Sequence, residues 1–224
     1  MTVKVLGPLD TGTAHTLSPR ERVVLSALIV LAGRSVATGE LAQAYWGADL
    51  PRTWTQQVKT AVARIRADLG QRAVITRGSE YTLGLDPATI DAFEFERLVS
   101  DARKHAMHDE HDRAVAAYRR ALGMWRGAPY PELVDWEPAA VEAERLVEIR
   151  RSVEEELLES RLAEGEHSAV VADAERLVRE SPLRENRWAI LAIAKLPRRP
   201  ASRGAVEHPV GAGAARGRPR HRHR

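Results

Sequence analysis

The side chains with the clearest chemical purpose lie in and just before the stretch TWTQQVKTAVARIRADL, residues 53–69. Placed 100° apart, Val58, Val62, Ile65 and Leu69 form a narrow apolar stripe on a period of 3.6. Arg52, Thr53, Gln56, Lys59, Thr60, Ala63 and Arg64 project from the other side, with no acid before Asp68 in the last turn. An ordinary solvated helix interleaves Glu with Lys for i,i+4 pairing. A face of Gln, Thr, Lys and Arg offers donors without negative charge, which suits phosphates and base edges. Gln56 has the geometry to bind adenine N6 and N7, Lys59 to reach guanine O6 and N7, and Thr60 lies beside them. Catalytic and cofactor chemistry has much thinner support. Glu154, Glu155, Glu156 and Glu159 fall in a charged helical run and read as a solvated face. There is no phosphate-cradling Gly-rich loop, no G-x-S-x-G and no H-E-x-x-H, so neither an enzyme nor a bound cofactor or metal is expected.

The surrounding elements must hold that helix in place. Val3 to Leu6 and Thr13 to Leu17 read as short strands. Ser18, Pro19 and Glu21 make a helix start of the capping-box type, and the helix runs through Leu31 to stop at Gly33. Ser35-Val36 offers at most a bridge strand. Thr38 caps a second helix, Glu40 to Trp46, whose Leu41 and Trp46 face inward. After the loop Gly47 to Pro51 and the basic helix, Ala73 to Thr76 and Tyr81 to Leu83 flank Arg77-Gly78-Ser79-Glu80, a hairpin with a basic tip. Strands, three helices and a hairpin in this order describe a winged helix-turn-helix, in which two helices support a third in the major groove. The hairpin then reaches the adjacent backbone or minor groove.

Arg64-Ile65-Arg66 and Arg77-Gly78-Ser79-Glu80-Tyr81 resemble the recognition helix and wing of OmpR/PhoB-type regulators. That resemblance implies that Arg64 and Arg77 meet phosphates or groove edges, with Thr76 and Tyr81 joining them; Arg66, nearer the apolar stripe, either holds a phosphate or pairs with Asp68. Glu80 stands where that family commonly has a second glycine, which places an acid near DNA and removes a residue tolerant of positive φ.

From Asp91 to about Ala194 the pattern is helical, with helices read at 91–105, 109–125, 138–163, 166–180 and 184–195. Residues 113–122 echo 168–177 at an offset of 55, with a small-large alternation like that of tetratricopeptide repeats. The motifs Ala121–Gly127, Arg161–Gly165 and Ser181–Glu185 resemble the bacterial transcriptional activation domain that follows a winged helix in the Streptomyces antibiotic regulatory protein family. The resemblance covers roughly residues 3–194. It implies an activator of biosynthetic gene clusters that binds double-stranded DNA at promoter direct repeats, as a side-by-side homodimer. It also implies recruitment of RNA polymerase, with Gly47 to Arg52 as the contact.

The expected architecture is mainly α: a winged helix (α+β) over 1–86, an all-α tetratricopeptide-like domain over 91–194, and a disordered basic tail over 195–224. Charge divides the same way. Residues 1–85 hold 10 Lys/Arg against 6 Asp/Glu, residues 86–195 hold 16 against 24, and residues 196–224 hold 8 against 1. The tail lacks aromatic residues and is rich in Pro, Gly, Ala and Arg, so it cannot offset its ordering entropy. It reads either as a basic arm for DNA or as a truncated or frame-shifted end. On either reading Trp188, Ile190, Leu191 and Ile193 are expected to lack partners. Cysteine is absent, which excludes disulfides and thiolate metal sites. No run is apolar enough to cross a membrane, and a cytoplasmic, nucleoid-associated protein is expected. The competing function is a helical-repeat adaptor whose winged helix does not read DNA. Six or so phosphate contacts would give steep salt dependence, which an adaptor would lack.

Overall fold

In the computed structural model, residues 2–196 are described. The organising helix is α1 (Pro19–Val30), which opens with Pro19 in its first turn and with Glu21 Oε2 accepting the Ser18 N–H at 2.7 Å. Seven consecutive residues, Val23 to Ile29, are buried. A helix buried all round must have protein on both sides. On one side lie α2 (Thr38–Trp46), α3 (Trp54–Leu69) and the sheet. On the other lie α6 (Glu137–Ala163) and the short 3₁₀ turn Pro131–Leu133.

The sheet has three short antiparallel strands in the order β1-β3-β2, with β1 at Val36–Ala37, β2 at Val74–Arg77 and β3 at Glu80–Leu83. Val36 pairs with Tyr81 and Arg77 with Glu80, so the β2–β3 turn is the two residues Gly78-Ser79. Gly78 alone in that turn has positive φ (63°), as a two-residue hairpin with glycine in its first central position requires. Glu80 lies in extended backbone, so the missing second glycine strains nothing. The leading strands are corrected: Val3 and Lys4 form only isolated bridges, to Ile90 and Asp10, and Thr13–Leu17 is irregular. Thr38 is likewise not a cap. Its hydroxyl donates to the Ser79 carbonyl at 2.5 Å and ties α2 to the hairpin turn.

The helical part follows the expected order: α4 (Asp91–Met107), α5 (His111–Leu122), α6, α7 (His167–Glu180) and α8 (Glu185–Ala194). The repeat is real in packing terms, but its register differs by one residue. Ala114, Tyr118 and Ala121 are buried in α5, and Val170, Ala174 and Leu177 in α7, an offset of 56. Burial faces, not residue identities, carry the repeat. Two cores result. One runs continuously from Val3 through Val153 and includes the winged helix, α4 and α5; the other joins the end of α6 to α7 and α8. At 27 residues, α6 extends about 40 Å and belongs to both.

The first core is sewn shut by the N-terminal segment. Asp91 accepts the N–H groups of Val5 and Leu6 at 2.7 and 3.2 Å, Arg126 N donates to Leu6 O, and Tyr130 N donates to Val5 O. Burial holds the Asp91 carboxyl above its ordinary value, although those two backbone donors pull it the other way. Glu132 accepts from Leu9 N at 2.8 Å and also pairs with Arg22 of α1. The two halves of the chain therefore share an interior; no linker separates them.

The second core is held by ions. Arg187, its side chain 1% exposed, donates to Glu155 at 2.8 Å and to Leu177 O at 2.8 Å; Arg184 and Asn186 also reach Glu155. Glu155 is thus buried, and its reading as part of a solvated face is corrected. Ile190 and Leu191 find partners in this core, whereas Trp188 and Ile193 stay exposed. The expectation for the tail falls on residues 197–224, outside the described ones. Among the described residues, no helix is long and apolar enough to cross a membrane.

Candidate nucleic-acid interface

α3 docks through Val58, Ala61, Val62 and Ile65, all buried against α1 and α2. This fixes which side faces out. Arg52, Thr53, Gln56, Lys59, Thr60, Ala63 and Arg64 are all exposed, as are Thr76 and Arg77 on the hairpin. Several cations elsewhere in the chain are neutralised: Arg34 pairs with Glu40, Arg97 with Glu94 and Asp101, and Arg103 with Glu156. On this face, Arg52, Lys59, Arg64 and Arg77 make no ion pair among the described residues. An exposed set of unpaired cations is available to phosphates without first breaking an internal bond.

The small polar residues are partly committed. Thr60 Oγ1 donates to Gln56 O at 2.9 Å, leaving its lone pairs and methyl group outward. Thr53 Oγ1 accepts from Gln57 Nε2 at 2.8 Å. Gln56 has no side-chain partner among the described residues and retains both donor and acceptor for a base edge.

Two expected contact residues play other parts. Tyr81 is 6% exposed and packs in the first core, pairing with Val36 on one side and Thr76 on the other. Its ring has little surface to offer DNA, because the inward register of β3 claims it. Arg66 does not pair with Asp68. It bridges α3 to the hairpin, with Nε and Nη2 donating to Val74 O at 2.9 and 2.7 Å and Nη2 donating to Thr76 Oγ1 at 2.6 Å. Arg66 and Tyr81 thus set the angle between reading helix and hairpin. Arg66 lies nearer the apolar stripe than Arg64 does, which hinted at this; nothing local marked Tyr81.

Sequence reasoning passed over the segment beside the C-terminal half of α3. The Asp68 carboxylate, 5% exposed, accepts from Thr13 Oγ1 at 2.9 Å and Thr11 Oγ1 at 3.4 Å, and lies 3.6 Å from His15 Nδ1. The irregular loop 10–18 is thereby pinned against the reading helix. Thr11, Thr13 and His15 lie more than 50 residues from Asp68, so spacing gave no signal.

The small winged head and the helical repeat, built around one interior, also occur together in known bacterial transcriptional regulators. The bacterial transcriptional activator domain matches residues 90–199. Regulatory protein DnrI of Streptomyces peucetius is 29% identical over 209 residues, covering 87% of this chain and 77% of DnrI. Regulatory protein AfsR of Streptomyces coelicolor is 31% identical over 198 residues, covering 85% of this chain and 20% of AfsR. A solved structure of Mycobacterium tuberculosis EmbR, in complex with a low-affinity phosphopeptide, superimposes with a TM-score of 0.79 at 26% identity; it covers 86% of this chain and 54% of EmbR. The chain is thus similar over residues 90–199 to the bacterial transcriptional activator domain, and over most of its length to transcriptional regulators of Streptomyces and Mycobacterium. It spans most of DnrI but a fifth of AfsR and about half of EmbR.

Proposed function

We propose that this chain is a sequence-specific DNA-binding activator of a secondary-metabolite gene cluster, acting on double-stranded promoter direct repeats. The observation that carries the reading is the exposed, acid-free face of α3, continued by the basic hairpin tip. Gln56, Lys59 and Thr60 in the N-terminal half read base edges; Arg52, Arg64 and Arg77 hold phosphates. Because the head shares an interior with α4–α6, its angle on DNA fixes where the helical part projects. Two copies on a direct repeat would then stand side by side with the same orientation. The loop from Gly47 to Arg52, with Leu50 partly exposed, faces RNA polymerase. Such a protein works in the cytoplasm, on the nucleoid.

Selection of bound sites from genomic fragments by the purified chain tests this. Recovery of a repeated motif with one spacing supports it. Weak binding without preferred sequence supports the adaptor instead.

A further inference from the structure

Beside α3 lies a cleft of about 610 Å³ that the reading above does not use. One wall is Arg64, Ala67 and Asp68 of α3; the other is His15, Thr16, Leu17 and Ser18 of the pinned loop, with Pro19 and Glu21 at the start of α1. Its two acids are engaged by the chain itself. Asp68 is engaged by Thr11 and Thr13 below the surface, and Glu21 is bound to the Ser18 N–H. What remains at the rim is the Arg64 guanidinium, the His15 imidazole (side chain 87% exposed) and the hydroxyls of Thr16 and Ser18. Asp68 Oδ1 is buried without a hydrogen-bond partner and lies nearest His15 Nδ1. A protonated imidazole would complete that carboxylate through Nδ1 and present Nε2–H outward, beside Arg64.

We propose that the loop Thr11–Ser18 is a second DNA-backbone contact, in which His15, oriented by Asp68, and Arg64 hold one phosphate between them. This rests on α3 occupying the groove, since the C-terminal half of a reading helix is the part that meets the groove wall. The contact is complete when His15 is charged. The other ionisable groups facing His15 are Asp68 and Arg64 on α3, Glu21 and Arg22 on α1, and Asp10 in the loop. Of these side-chain types, only an imidazole changes charge between pH 5 and 8 when unperturbed.

The test is DNA affinity of the full chain at pH 6 and pH 8 in 0.1 M salt, on a selected operator fragment and on an unrelated duplex of equal length. One phosphate contact corresponds to a salt slope of about 0.9, or about eightfold in affinity at 0.1 M. His15→Gln should lose up to about eightfold at pH 6 on both duplexes and nothing at pH 8. His15→Lys should bind at the wild-type pH 6 level at both pH values. Being so exposed, residue 15 tolerates these changes without loss of fold. Arg64→Ala is measured alongside. If Arg64→Ala weakens binding while both His15 variants track the wild type at each pH, this inference is overturned and the groove docking stands. If Arg64→Ala is also without effect, the docking and this inference fall together.

Discussion

Arg64 and Arg66 stand two residues apart on α3, yet they should fail in different ways. Arg64 is exposed and unpaired; Arg66 is spent on Val74 O and Thr76 Oγ1. The three unpaired cations assigned to phosphates, Arg52, Arg64 and Arg77, predict that log K falls against log salt with a slope of about −2.7 for one head. Between 50 and 200 mM salt that is a loss of about 40-fold. Arg64→Ala removes one phosphate, so the slope becomes about −1.8 and affinity at 0.1 M drops about eightfold. Arg66→Ala leaves the phosphate count unchanged but frees the hairpin to tilt. Its affinity should fall while its slope stays near the wild-type value. The assay is fluorescence anisotropy of a labelled operator fragment at four salt concentrations, with circular dichroism confirming that both variants fold. An unchanged slope for Arg64→Ala, or equal slope losses for the two variants, would refute the assignment of roles.

Three other substitutions probe the frame that aims the face. Asp91→Ala leaves the buried N–H groups of Val5 and Leu6 without an acceptor, at about 1–3 kcal/mol each. Because the core is shared, denaturant should then unfold head and α4–α5 together at a lower midpoint, with no separate transition for the head. Gly84→Ala puts a Cβ 2.0 Å from the Arg72 carbonyl oxygen, so the base of the hairpin must move; a loss above about 2 kcal/mol is expected by urea titration. Arg187→Ala breaks a buried pair and should cost about 3 kcal/mol. The same joint predicts an acid limit. Burial works against the ionised form of Glu155, but hydrogen bonds from Arg184, Arg187 and Asn186 outweigh it and hold this carboxyl below its ordinary 4.5. A depressed carboxylate contributes stability above its unfolded value and loses it as pH falls through the folded one. Melting temperatures of the wild type and Glu155→Gln should therefore differ at neutral pH, begin to converge as pH falls past about 4.5, and meet only below the depressed folded value.

Which parts of this arrangement could be read from the chain follows from the range of the interactions. The helices α4 to α8 were legible because each carries its own 3.6-residue stripe and a Gly or Pro break. The outward face of α3 was legible for the same reason, since four apolar residues on one stripe leave the remainder to solvent. The apolar run in α1 was visible, but periodicity could not say that it lies between two halves of the protein. The bonds from Asp91 to Val5 and Leu6, and from Asp68 to Thr11 and Thr13, join residues 55 to 86 apart. No local pattern announces such pairs. Tyr81 and Glu155 were misread for a related reason: a residue's partner, more than its type, decides whether it meets solvent.

The chain has no cysteine, so a single one introduced on the outer face of α3 can carry a DNA-cleaving iron chelate. Thr60→Cys labelled in this way and bound to its selected operator should cut a few adjacent nucleotides across the major groove of each repeat. Cleavage scattered along the duplex, or none at occupancy verified by footprinting, would contradict the placement of this face against base edges.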